Sequence, residues 1–108
     1  MRQMGVFAFV FLVAGLSFAA EPDAKRGGEL IRLVREECGS CHGLRLRGGL
    51  GPALLPATLA ERSEELLVHV ILNGRPGTAM PPWRPFLGEN EARWIARRLK
   101  EGFPDARP

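Results

Sequence analysis

The chain has 108 residues with two cysteines, two histidines, no tyrosine, and a formal charge of +3 from 15 basic and 12 acidic residues. That length holds one small domain and excludes a multidomain enzyme, and there is no repeat or low-complexity tract. The basic clusters Arg45/Arg47 and Arg93/Arg97/Arg98 are not interleaved with aromatic residues, so nucleic acid is not expected as a partner.

The first residues read as an export leader. Arg2 supplies the charged end, Val6 to Leu16 the apolar stretch, and Ser17-Phe18-Ala19 a small-x-small cleavage site. A signal peptide is therefore expected over residues 1–19 and a mature domain over residues 20–108, addressed to the periplasm. Contact with a membrane is expected only through an uncleaved leader, and loss of Arg2 leaves a mildly basic chain.

Asp23 is placed to cap a helix running from Ala24 to about Cys38, with Leu30, Ile31, Val34 and Cys38 on its inner face. The helix delivers Cys38-Gly39-Ser40-Cys41-His42, two thiols three residues apart followed at once by an imidazole. This is the spacing of covalent haem attachment: two thioethers at Cys38 and Cys41, and an axial iron ligand from His42. A thioredoxin-like couple expects a βαβ context, and no strand pattern precedes the motif. A zinc site would have to recruit His69 together with the adjacent Cys41 and His42, whose side chains diverge. A structural disulfide would close too short a loop to constrain the unfolded chain much.

A loop is expected from Gly43 to Ala57, since Gly48, Gly49, Gly51 and Pro52 oppose regular structure. Thr58-Leu59-Ala60-Glu61 has capping-box spacing for a short turn. Ser63 can cap a helix from Glu64 to Leu72, buried through Leu66, Leu67, Val70 and Ile71 and ended by Asn73-Gly74. Four prolines keep Arg75 to Phe86 irregular around Met80. The last helix spans about Glu89 to Glu101, with acids in its first turn, bases in its last, and Trp94, Ile95 and Leu99 as its apolar stripe. No strand is required, so the fold class is all-α. For the second axial position the candidates are Met80 and His69 once Met1 and Met4 leave with the leader. Met80, held in a rigid proline-flanked loop, suits a soft ligand better than a mid-helix histidine.

From Cys38-Gly39-Ser40-Cys41-His42 through Gly51-Pro52 and Met80-Pro81 to the closing helix with Trp94 and Leu99, the mature chain resembles the small class I cytochromes c. The resemblance implies the class I cytochrome c fold around one covalent haem c. It implies that the Pro52 carbonyl holds the His42 imidazole, and that Thr78 lies near a haem propionate. Gly27 and Gly28 fall about a turn further from the haem motif than the family pattern, and Arg98 stands where an aromatic residue is common, with Trp94 the candidate to replace it. With no tyrosine available, Asn73 or water is left to hydrogen-bond the Met80 sulfur.

The stretches from Gly48 to Pro56 and from Gly74 to Trp83 are more particularly similar to the small periplasmic cytochromes c associated with the dissimilatory nitrite reductase of denitrifying bacteria. That resemblance implies a monomeric electron carrier rather than an enzyme, with nitrite reductase as redox partner. Its alternative is a part in maturing that enzyme's d-type haem, with Arg45, Arg47 and Arg75 binding carboxylates. A labile Met80 would instead make a ligand sensor. For docking, Arg45, Arg47, Arg75 and Arg84 are candidates for a positive rim, unless they pair with carboxylates such as Glu61 and Glu65.

Overall fold

The computed structural model describes residues 21–104 together with the isolated residues Gly5 and Ala8. The rest of the leader expected over residues 1–19, the start of the expected mature domain and its last four residues lie outside the described residues.

Helix α1 (Ala24–Leu33) starts as its sequence dictates, with the Asp23 carboxylate accepting from the Arg26 amide at 2.8 Å. Leu30 and Val34 are fully buried. The expected single α-helix to Cys38 is modified in two ways. Val34–Cys38 widens into a π turn, closed by the Gly39 amide donating to the Val34 carbonyl, and α2 (Gly39–His42) then carries the helical path through the whole cysteine-histidine motif. Val34 and Gly39 are both buried. An α-helix would set residues five apart about 140° from one another, whereas a π turn brings them towards one side.

The loop after α2 is followed by α3 (Pro56–Leu59), which begins at Pro56 with Leu55 as its extended N-cap. Thr58 therefore lies inside the turn, and the capping box expected from it does not form. Proline supplies the start instead, because its fixed φ suits the first helical position and its missing N–H costs nothing there. Leu59 is buried, and the turn packs against α5.

Helix α4 (Glu64–Asn73) opens on Ser63, whose hydroxyl accepts from the Leu66 amide at 3.1 Å. Its buried side is Val68 and Leu72, with Leu67 and Ile71 half-buried, while Leu66 is 41% exposed. The face expected from Leu66, Leu67, Val70 and Ile71 is thus rotated. Apolar residues occupy most of the helix surface, so periodicity does not single out one stripe, and packing against α5 decides.

Helix α5 (Glu89–Glu101) follows the sequence reading closely. Glu91 reaches back to accept from the Gly88 amide at 3.1 Å, and Ala92, Ile95, Ala96 and Leu99 are buried. Ala92 and Ala96, both fully buried, keep the face that meets the core narrow. Trp94 is half-buried beside that core, with the Arg98 guanidinium 5.0 Å above its ring centroid. Leu46, Leu87 and Phe103 from irregular segments complete the core, and every element among the described residues is helical.

Polar contacts tie the helices at their ends. Arg26 on α1 holds both oxygens of Glu91 and donates to the Phe86 carbonyl at 3.3 Å, joining α1 to the entry of α5. On α4, Glu64 receives Arg93 at 3.2 Å and Arg97 at 3.0 Å, both from α5. The Gly27 and Gly28 positions, by contrast, bring nothing close: a Cβ at either would meet no atom within 4 Å. Close helix crossing is not what these two glycines provide.

Hydrogen bonds from Arg26 hold the Glu91 carboxyl below the ordinary glutamate value of 4.5, and hydrogen bonds from Arg97 and Arg93 do the same for Glu64. A lowered carboxylate pKa contributes stability above 4.5 and loses it as pH falls through the folded-state value. Glu91→Gln should therefore lower stability at neutral pH by about 1 kcal/mol, discounted for partial exposure, and flatten the loss between neutral and acid pH. Urea unfolding of both proteins at pH 7 and pH 3 measures the two effects.

Candidate functional site

The site is built on two loops, each fastened to the end of a helix. After α2 the last helical carbonyls would be left without partners. The Gly51 amide donates to the Cys41 carbonyl at 2.7 Å and the Gly48 amide to the His42 carbonyl at 2.7 Å, so the glycine-rich chain folds back over the cysteine-histidine turn. Close approach requires glycine here. A Cβ on Gly43, which has φ of 91°, would stand 2.7 Å from the Gly48 oxygen, and one on Gly49 would stand 2.8 Å from the Cys41 oxygen. Leu46 completes the turn with φ of 58° and is buried, anchoring the loop in the core.

This folding brings Pro52 to His42. The imidazole Nδ1 lies 2.6 Å from the Pro52 carbonyl oxygen. A carbonyl only accepts, so Nδ1 carries a proton and donates it, and Nε2 is the ring nitrogen left to face another partner. Gly51 lies against the same ring, where a Cβ would meet Cε1 at 2.7 Å and Nδ1 at 2.8 Å. Cys38 and Cys41 are both free and half-buried, three residues apart on the helical path. Burial pushes the Cys38 thiol up to about 11, with the neighbouring Glu37 charge adding to it, so Cys38 is a neutral thiol at physiological pH.

The second loop runs from the end of α4 to α5. Trp83 and Arg84 donate their amides to the Ile71 and Leu72 carbonyls at 3.0 and 3.1 Å, while Arg75 donates to the Met80 carbonyl at 3.2 Å. Gly74, with φ of 67°, admits this loop: a Cβ there would lie 2.7 Å from the Met80 oxygen and 2.8 Å from the Pro82 nitrogen. Thr78 works inside the loop, donating its hydroxyl to the Arg75 carbonyl at 2.6 Å and accepting the Met80 amide at 3.3 Å. Met80 itself is half-buried.

Other candidates are placed differently. His69 is exposed on α4 with Nδ1 facing the Asn73 amide at 3.1 Å. Asn73 is committed to His69 and to Arg84, so its expected hydrogen bond to the Met80 sulfur is replaced by these partners. Glu65 pairs with Arg93, not with the candidate rim, and Arg84 gives one nitrogen to Asn73. Among the described residues no group of three or more His, Cys, Asp or Glu is placed to hold a metal ion, as the zinc alternative would require. Sequence reasoning missed Leu46 and the contacts of Gly74. The Asn73-Gly74 pair did mark a helix end, but only the fold shows that Gly74 receives the Met80 loop.

Residues 23–97 match the family model described as cytochrome c oxidase, cbb3-type, subunit III. The chain is 60% identical to cytochrome c55X of Paracoccus denitrificans (strain Pd 1222) over 88 residues, covering 82% of this chain and 85% of that protein. The chain belongs to the c-type cytochromes. It is similar to the solved c-type cytochrome NirC at 52% sequence identity with a TM-score of 0.74, over 76% of this chain and 96% of that one. Dihydro-heme d1 dehydrogenase NirN, solved in complex with DHE, is similar over 68% of this chain but only 16% of its own length, at 36% identity and a TM-score of 0.62.

A c-type cytochrome carries covalently bound haem and passes electrons to a redox protein partner, and this all-α cytochrome is an electron carrier rather than an enzyme. The residues present fit that group. Two free thiols at one helical turn stand beside an imidazole whose Nδ1 is held by the Pro52 carbonyl, and a thioether lies in a separately anchored loop. No helix among the described residues is long and apolar enough to cross a membrane.

Two glycines separate site from scaffold. Gly51→Ala should lower the yield of coloured protein and destabilise it by about 1–3 kcal/mol, because the added methyl meets an imidazole that Pro52 prevents from yielding. Gly28→Ala, exposed and inside α1, should stabilise by about 0.5–1 kcal/mol through helix propensity. Thermal melting of the two variants beside the parent protein checks both signs.

Proposed function

We infer that this cytochrome holds one haem c through thioethers at Cys38 and Cys41, with His42 and Met80 on the iron, and serves denitrification in the periplasm as an electron donor to nitrite reductase. The observation that carries the site assignment is the His42–Pro52 hydrogen bond, since it leaves Nε2 free to bind a metal. When bound, the haem supplies a one-electron ferric/ferrous couple. The chain's own residues set the terms of that couple: Pro52 fixes the imidazole, and the Thr78 and Arg75 hydrogen bonds hold the backbone on either side of Met80. A thioether ligand favours ferrous iron and raises the potential relative to two imidazoles. Thr78 is the residue we assign beside a propionate.

Acid-acetone should leave the colour on the protein, and Cys38→Ala or Cys41→Ala should cut the yield of coloured protein strongly. The ferric spectrum should carry the weak near-infrared sulfur-to-iron band, lost in Met80→Ala and kept in His69→Ala. Colour extracted entirely into solvent, or a band that survives Met80→Ala, would refute the site.

Nitrite reductase as acceptor is supported by the likeness to NirC and cytochrome c55X. A second reading, electron acceptance during maturation of d-type haem, is favoured by the 38% identity to dihydro-heme d1 dehydrogenase of Pseudomonas aeruginosa across 96% of this chain, which spans 20% of that enzyme. A free-standing cytochrome similar to one part of an enzyme can exchange electrons with such an enzyme. Mixing the reduced cytochrome with oxidised nitrite reductase, and the oxidised cytochrome with the dehydrogenase and its substrate, separates the two by which pair reacts. With Arg45 and Arg75 on the docking face, the productive reaction should slow as salt rises above 0.1 M, where screening acts within about 10 Å. Arg45→Glu with Arg75→Glu should weaken that dependence without changing the spectrum.

A further inference from the structure

The segment from Arg75 to Arg84 is fixed to the end of α4 by two backbone bonds already described, from Trp83 to Ile71 and from Arg84 to Leu72, and by one link that runs entirely through side chains. The Arg84 guanidinium donates from Nη2 to the Asn73 side-chain oxygen at 3.0 Å. Asn73 is the last residue of α4, and its amide nitrogen lies 3.0 Å from the His69 carbonyl and 3.1 Å from His69 Nδ1. The orientation of this amide is determined by its neighbours. A backbone carbonyl can only accept and a guanidinium can only donate, so the nitrogen must face His69 and the oxygen must face Arg84. Turning the amide over would set NH2 against guanidinium and oxygen against carbonyl, which costs both bonds.

His69 thus locks Asn73, and Asn73 offers Arg84 a fixed acceptor. Arg84 lies next to Trp83, and both donate their backbone amides to the last carbonyls of α4. The clamp therefore adds a side-chain tie beside Gly74, where a Cβ would already meet the Met80 carbonyl and the Pro82 nitrogen. Pro81 and Pro82 have no amide hydrogen to contribute, so within Met80-Pro81-Pro82-Trp83 the chain depends on its two ends for anchorage.

We propose that Asn73 and Arg84 are positioning residues which, with Asn73 oriented by His69, hold the Met80 loop shut and so set how readily Met80 leaves the iron. The proposal rests on the assignment of Met80 as a ligand.

The test uses the haem-loaded protein with two readouts. Apparent affinity of the ferric protein for imidazole reports the fraction of molecules with Met80 displaced, because an exogenous ligand enters only the open form. Amide exchange at Trp83 and Arg84 reports loop opening without reference to the iron. Asn73→Ala should raise imidazole affinity about five- to tenfold, the worth of one ordinary solvent-exposed hydrogen bond, and speed exchange at Trp83 and Arg84 while mid-α4 amides stay unchanged. Arg84→Met should do the same, and the double variant should add little to either single change. Asn73→Asp keeps an acceptor for Arg84 but loses the donor that faces the His69 carbonyl, so it should raise imidazole affinity above the parent by less than Asn73→Ala does. Parent-like affinity and exchange in Asn73→Ala, or additive effects in the double variant, would overturn the clamp. Failure of the ligand assignment shows separately, as a near-infrared band unaffected by Met80→Ala.

Discussion

The hydrogen bond between His42 Nδ1 and the Pro52 carbonyl is the constraint on which the site depends, and it exists only because the intervening loop is fastened at several points. Helix α2 ends with carbonyls that need donors, and the Gly48 and Gly51 amides supply them. Each approach is so close that a Cβ at Gly43, Gly49 or Gly51 would collide with backbone or ring atoms. The loop is therefore irregular in shape but closely determined. Leu46 buries its side chain at the price of a left-handed backbone, and the core thereby takes hold of a segment that has no secondary structure of its own.

The same device recurs at the second loop. Helix α4 ends in carbonyls that accept from Trp83 and Arg84, and Gly74 gives the Met80 segment room to lie against the helix end. Two chemically unlike groups, the imidazole at the end of α2 and the thioether in the segment after α4, are thus each held by a loop fixed to the end of a helix. An electron carrier benefits from this, because a redox centre whose ligands keep their places needs little reorganisation when its charge changes. The rigidity comes from helix ends whose unpaired backbone groups are satisfied by the very loops that hold His42 and Met80 in place.

Around these loops the scaffold is economical. α4 and α5 form the main helix pair, joined by Val68 and Leu72 on one side and by Ile95, Ala96 and Leu99 on the other, with Glu64 bridged to Arg93 and Arg97 at the margin. α1 is linked to the entry of α5 through Arg26 and Glu91, while its own core contribution is concentrated in Leu30 and the following Val34. So small a domain buries limited apolar surface, and a covalently attached haem supplies the additional apolar slab that a chain of this length otherwise lacks.

The cysteine-histidine spacing, the helix caps at Asp23 and Ser63, the extent of α5 and the all-helical class are determined by the sequence alone, because each follows from interactions between residues a few positions apart. Tertiary structure decided the rest. It set the π turn at Val34–Cys38, since burial of both Val34 and Gly39 is a demand of the core and not of local propensity. It chose Val68 and Leu72 over Leu66 as the inner side of α4, because a helix apolar on most sides has no preferred face until a neighbour supplies one. It also turned Asn73 from the Met80 sulfur towards His69 and Arg84. A polar side chain at a helix end has several partners within reach, and only the packed chain brings one of them to hydrogen-bond distance.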